Sequence, residues 1–106
     1  MDFARLAVTI TRLLDDAFPG SVECLLLDAT GDQHWFTEKV PVVSEGCAGP
    51  DDVYPRPGWI RCVVIQDAGD GHDHRLVEVS TDQPDGVESR TGQSRFMVRA
   101  QQILQS

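Results

Sequence analysis

Positive charge is scarce in this chain. Nine Lys and Arg stand against seventeen Asp and Glu in 106 residues, giving a formal charge of -8 and a pI near 4.6. Phosphate backbones and anionic headgroups are bound through Lys and Arg that displace counterions, so nucleic-acid and membrane-surface roles are disfavoured. Either the acidity does no more than keep a small protein soluble, or it draws in a positively charged partner over long range. Its distribution is uneven. Between Asp15 and Asp52 there are nine acids and one base, Lys39, whereas Ser89 to Ser106 carries only Arg90, Arg95 and Arg99 as charged residues.

Other absences narrow the field further. Cys24, Cys47 and Cys62 are an odd number without C-x-x-C spacing, which argues against a disulfide framework and a thiolate zinc site. Cys24 and Cys62 lie in apolar runs, where a reduced thiol acts as a small hydrophobe, and Cys47 in a loop is the exposed one. No apolar run reaches membrane-spanning length, and Asp2 stands where a signal peptide carries bases, so a cytoplasmic protein is expected. Gly69 and Gly71 precede a strand and not a helix, which removes the free N–H groups of a phosphate cradle. There is no repeat or low-complexity segment. What is present, 41% hydrophobic and 25% charged residues, suits one domain spanning residues 1–106 that folds without staples.

The expected fold class is α+β. Residues 3 to 18 predict an amphipathic helix, because Phe3, Leu6, Ala7, Ile10, Leu13, Leu14 and Ala17 follow helical spacing with Arg5, Thr9, Arg12 and Asp16 opposite. Asp2 caps its start and Pro19-Gly20 ends it. That helix packs on an antiparallel, strongly curved or barrel-like sheet of five or six short strands, which ends in a short helical turn. Val22 to Asp28 is apolar on both sides, as in a strand covered on two faces. Gln33 to Val43 runs extended, with Pro41 placing it at an edge or a bend. Ser44 to Gly58 is a loop. Trp59 to Gln66 and Arg75 to Thr81 form a hairpin, Val87 to Arg90 is a short segment, Ser94 to Arg99 is a strand, and Ala100 to Leu104 is the final turn.

The second half, a tryptophan-led strand, a hairpin and then F-M-V-R-A-Q-Q-I-L, resembles the strand rhythm of small SH3-like barrels over residues 58 to 104. The run from G-W-I-R-C-V-V-I through L-V-E-V-S-T-D-Q-P-D-G-V-E-S to G-Q-S-R-F-M-V resembles small uncharacterised bacterial proteins, among them immunity-type partners of secreted toxins. The resemblance rests on spacing and carries over no site residue.

Signals for chemistry are weak. Asp67 to His74 offers three carboxylates and two imidazoles, but positions 3 and 5 of an EF-hand loop starting at Asp67 are both Gly, and zinc lacks further ligands. A hairpin loop whose Gly and Asp residues supply turn geometry accounts for it, and no metal or cofactor is expected. Cys47 with a histidine is not brought together by any known nucleophile turn. No catalytic residues are assigned and an enzyme is not expected. Aromatics anchor interfaces, and Asp51, Asp52, Tyr54 and Arg56 present acids, an aromatic and a guanidinium in one proline-rich stretch. These four and Trp35 are the candidate partner-binding residues, whereas Trp59 and Phe36 are assigned to core packing. The composition therefore favours an acidic protein-binding module that engages a basic protein as a monomer or homodimer, and the resemblance implies an immunity- or antitoxin-like one. The alternatives are a small-ligand or metal-binding domain and a self-associating structural protein.

Overall fold

The computed structural model describes residues 3–17, 20–43, 53–67 and 76–104. Within them the chain is mostly β: a six-stranded antiparallel sheet curled into a half-barrel, with one additional short strand. The strands are β1 (Ala4–Asp15), β2 (Ser21–Leu27), β3 (Gln33–Lys39), β4 (Arg56–Asp67), β5 (Leu76–Ser80), β6 (Arg95–Arg99) and β7 (Ile103–Leu104). They run in the order β3-β2-β1-β4-β5-β6, and β7 pairs with β1. No helix among the described residues is long and apolar enough to cross a membrane.

The α+β expectation is overturned at its first element. The helix expected over residues 3–18 is replaced by the twelve-residue strand β1, Ala4–Asp15. Val8, Thr9, Ile10 and Thr11 are four consecutive β-branched residues, whose restricted side-chain rotation favours extended backbone. Leu6, Val8 and Ile10 alternate inward and are buried, while Arg5, Ala7 and Thr9 face outward. The helical spacing is produced by irregular pairing. Register shifts against β2 between Ile10 and Arg12 and between Leu13 and Asp15 each skip one residue. The first returns Leu13 to the inner side three positions after Ile10, as a helix turn would.

A second correction falls at the end of β3. The expected strand to Val43 stops at Lys39, and Val40–Val43 forms a single helical turn, α1. Val40 and Val43, three apart, are both buried. Pro41 occupies the first turn, where its missing N–H leaves no bond unmade. β4 also begins earlier than expected, inside the stretch read as a loop. The closing helical turn is confined to a 3₁₀ segment, Ala100–Gln102, after which β7 returns to pair Arg5 and Leu6. The side chain of Gln102 accepts the Arg99 N–H and donates to the Leu27 carbonyl, both at 2.8 Å, fastening this return. Val87 to Arg90 forms no strand, although Val87 is buried.

Curling brings the terminal strands β3 and β6 together. Phe36 on β3 and Phe96 on β6 meet edge to face at 5.8 Å between ring centroids, and His34 meets Phe96 at 4.8 Å. The seam is laced by backbone bonds from Ala29 N–H to the Met97 carbonyl and from Arg90 N–H to the Trp35 carbonyl. Inside lies one apolar core, to which β1 gives Leu6, Val8 and Ile10 and β2 gives Val22, Cys24 and Leu26. Fully burying a side chain of this size contributes about 1.5–3 kcal/mol.

Gly58 on β4 lies opposite Val8, in space a side chain cannot share. A Cβ there would come within 2.7 Å of Ile10 Cδ1 and 2.9 Å of the Val43 carbonyl oxygen. Ile10 is fully buried and the carbonyl is backbone, so neither gives way easily. Gly58→Ala should destabilise the protein by about 1–3 kcal/mol in urea unfolding; an unchanged midpoint would contradict this packing.

Candidate functional site: the outer face of the sheet

The side of a half-barrel that faces water is ordinarily polar, with apolar residues alternating inward. Here it is not. On β2, Glu23, Leu25 and Leu27 point outward, opposite the buried Val22, Cys24 and Leu26. Register places Leu25 beside Trp35 of β3 and Thr9 of β1, and Thr9 beside Pro57 of β4. The next row holds Ala7 beside Trp59, and Leu104 of β7 lies opposite Arg5. Leu25, Leu27, Trp35, Trp59 and Leu104 thus share one face. Leu27 is 49% exposed, Leu104 is also exposed, and both tryptophans are half-buried. Among the described residues, no helix or second sheet layer covers this face.

Arginines border it. Arg5 holds its guanidinium 4.7 Å from the centre of the Trp59 ring, a cation–π arrangement. Arg61, opposite Arg5, binds both oxygens of Asp85 at 2.7 and 3.1 Å. At the other end Glu23 is clasped from several sides. The Thr11 hydroxyl donates to it at 2.8 Å, Arg12 at 3.3 Å and Arg90 at 3.1 Å. The Thr11 hydroxyl and the two arginines outweigh burial and hold the Glu23 carboxyl below its ordinary range. Arg90 also donates from Nε to the Thr37 hydroxyl, so its side chain crosses over the β3 edge.

The expected site residues fall in different places. Trp35 lies on this face. Tyr54 packs half-buried against the core, and Arg56 is half-buried at the start of β4, opposite Ile10. Asp51 and Asp52 lie outside the described residues, as do Cys47 and residues 68 to 74 of the candidate metal loop. The structure therefore joins Trp35 to residues that sequence reasoning assigned elsewhere. Trp59, assigned to core packing, faces outward. The signal for this face is in V-E-C-L-L-L-D, whose apolar residues on both sides predict two covered faces; among the described residues Leu27, on its outer side, is exposed.

Beside Trp35, where the 89–91 segment meets the edge of β3, a shallow pocket of about 140 Å³ is lined by Gln33, His34, Trp35, Ser89, Arg90 and Thr91. Its polar groups hold local structure. His34 Nε2 lies 2.7 Å from Asp28 Oδ2, while Asp28 Oδ1 accepts the Thr30 and Asp32 N–H groups and the Thr30 hydroxyl. Ser89 Oγ lies 3.0 Å from the Thr91 hydroxyl and accepts the Gln93 N–H, so it is engaged within its own turn. Burial pushes the thiols of Cys24 and Cys62 up to about 12 and about 11, far from the thiolate a nucleophile requires. Among the described residues no three His, Cys, Asp or Glu side chains converge to hold a metal.

No protein-family description, curated protein or solved structure matches the chain, so geometry alone carries the reading of this site.

The Asp28 cluster has a measurable consequence. Burial raises the Asp28 carboxyl, but the bonds from His34, Thr30 and Asp32 outweigh it and bring the value down to about 2 from 3.8. A depressed carboxyl stabilises the fold above its free value, and the contribution is lost as pH falls through 3.8 toward about 2. It amounts to about 2 kcal/mol. Denaturation midpoints between pH 5 and pH 2 should therefore fall more steeply for the wild type than for Asp28→Asn. Parallel profiles would contradict the assignment.

Proposed function

We propose that this chain is a protein-binding module whose contact surface is the outer face formed by β4, β1, β2 and β3. The observation that carries the proposal is β2 itself. Past Ser21 and the covered Glu23 its outer side is apolar like its inner one, as in a strand buried on two faces, yet Leu25 is only half-buried and Leu27 is exposed among the described residues. Leu25 and Leu27 beside Trp35 and Trp59 then form a surface that gains by desolvation. Aromatic and arginine side chains are the residue types that dominate interface energetics. An outlying leucine is ordinary; several apolar side chains joined across four strands mark a contact site.

The proposal of a basic partner rests on long-range attraction from the charge of -8. Glu23 and Asp85, which border this face, are already paired with arginines. Short-range affinity in this reading therefore comes from apolar contact, and the remaining acids act at a distance. The engaged local chemistry of His34, Asp28 and Ser89 and the raised thiols support binding over catalysis.

Leu27→Asp tests the proposal. Leu27 is half-exposed and leans on little of the core, so the substitution should change stability by no more than about 0.5 kcal/mol. Partners captured on the immobilised protein from its native cells should bind this variant at least about tenfold more weakly, a loss of roughly 1.4 kcal/mol. A control change at the exposed Glu88, on the connection between β5 and β6, should leave binding intact. A captured partner that binds Leu27→Asp as tightly as the wild type would remove this face from the account.

A further inference from the structure

We infer that the outer face seats a protein segment whose apolar centre is flanked by carboxylates, an inference that rests on the protein-binding reading of that face. The chain is acidic overall, but this face offers a partner mainly positive charge. Arg61 and Arg5 lie on one side of the apolar rows, Arg12 lies on the other, and Arg90 reaches it across the β3 edge. Among the described residues, Glu23 meets Arg12 and Arg90, and Asp85 meets Arg61. Accessibility decides which sign a partner meets. The side chains of Arg12, Arg61 and Arg90 are 65%, 50% and 45% exposed, whereas those of Glu23 and Asp85 are 11% and 18% exposed. The carboxylates sit beneath the guanidinium groups that cover them. Lys39 and Asp15 share the row beyond and offset each other, and Asp32 lies in the β2–β3 turn past Leu27.

Each guanidinium has five N–H donors in a planar fork, and an ion pair with one carboxylate leaves some of them turned to solvent. A carboxylate on the incoming segment can take these donors without displacing Glu23 or Asp85. A lysine or arginine at the same place would meet like charge as it loses water, which costs affinity and excludes the wrong partner. Between the arginines, Leu25, Leu27 and the rings of Trp35 and Trp59 offer room for aliphatic or aromatic side chains. The recognised chemistry is therefore a leucine- or aromatic-centred segment with Asp or Glu at its ends. The charge of -8 draws in a partner that is basic overall, while within the screening length of about 8 Å the arginines of the face select the carboxylates of the seated segment.

Selection of random short peptides displayed against the whole immobilised protein tests this directly. The same pools are panned on Leu27→Asp and Leu104→Asp, each required to keep the wild-type melting temperature, so that one misfolded variant does not decide the result. Peptides that bind the wild type and lose both variants should carry a several-fold excess of Asp and Glu over Lys and Arg beside Leu, Phe or Trp. A several-fold excess of Lys and Arg, or no charge bias, overturns the carboxylate inference and leaves the face reading standing. Selection that returns no peptide sensitive to these substitutions removes the face reading itself. A parallel sedimentation with phosphatidylserine vesicles covers the remaining source of negative charge. Co-sedimentation by the wild type that Leu27→Asp abolishes would assign the face to lipid and overturn the inference.

Discussion

Everything in this fold depends on the pairing of β1 along both of its edges. It holds β2 and then β7 on one side and β4 on the other, so the two halves of the chain become one sheet only through it. Because every backbone polar group needs a partner when buried, a strand shared in this way fixes its neighbours' register. It also fixes facing: a shift of one residue would bring Arg5, Ala7 and Thr9 to the core and expel Leu6, Val8 and Ile10. The pleat that buries those three residues is the same pleat that presents Leu25, Leu27, Trp35 and Trp59 outward. Core and contact surface are two sides of one constraint.

The charges follow from that arrangement. In the linear sequence the acids of the first half form a block and the arginines of the last residues form another. Folding breaks up the blocks. Arg90, from the connection before β6, comes across the β3 edge to Glu23 on β2, and Arg61 binds Asp85 in the first turn of that connection. Exposed ion pairs contribute little, about 0–1 kcal/mol each. Glu23 differs because it is largely covered, so leaving it without its partners would incur its desolvation cost. Arg90 thereby ties the 81–94 connection to the sheet, and the Trp35 and Met97 carbonyls join the same seam through backbone bonds.

Much of the strand pattern was legible in the residues. The alternation in R-L-V-E-V-S-T and R-F-M-V-R gives β5 and β6 closely, and Gly31 and Gly92 fall in turns, each with positive φ. The N-terminal element was not legible as written, because the register shift after Ile10 gave a strand the Ile10 to Leu13 spacing of a helix. Period alone was decisive in the wrong direction; the β-branched run Val8 to Thr11 carried the contrary information. Val40–Val43 was misread for a related reason, since β-branched residues with a proline look extended until burial of Val40 and Val43 together makes one helical turn favourable. The candidate face was half legible. The two-sided apolarity of β2 was visible, but which neighbours Leu25 meets depends on registers with β1 and β3 that no local pattern specifies. Trp59 illustrates the limit: its size argues for the core, and only its pairing opposite Ala7 turns it outward.

The central claim is that β2 lies between a filled core and an uncovered apolar face. Methyl NMR of the whole protein with a soluble paramagnetic probe measures that most directly. The account predicts strong broadening of the Leu25, Leu27 and Leu104 methyls, with those of Leu6, Val22 and Leu26 protected. Equal protection of both sets, or broadening of Leu26 in place of Leu27, would contradict it.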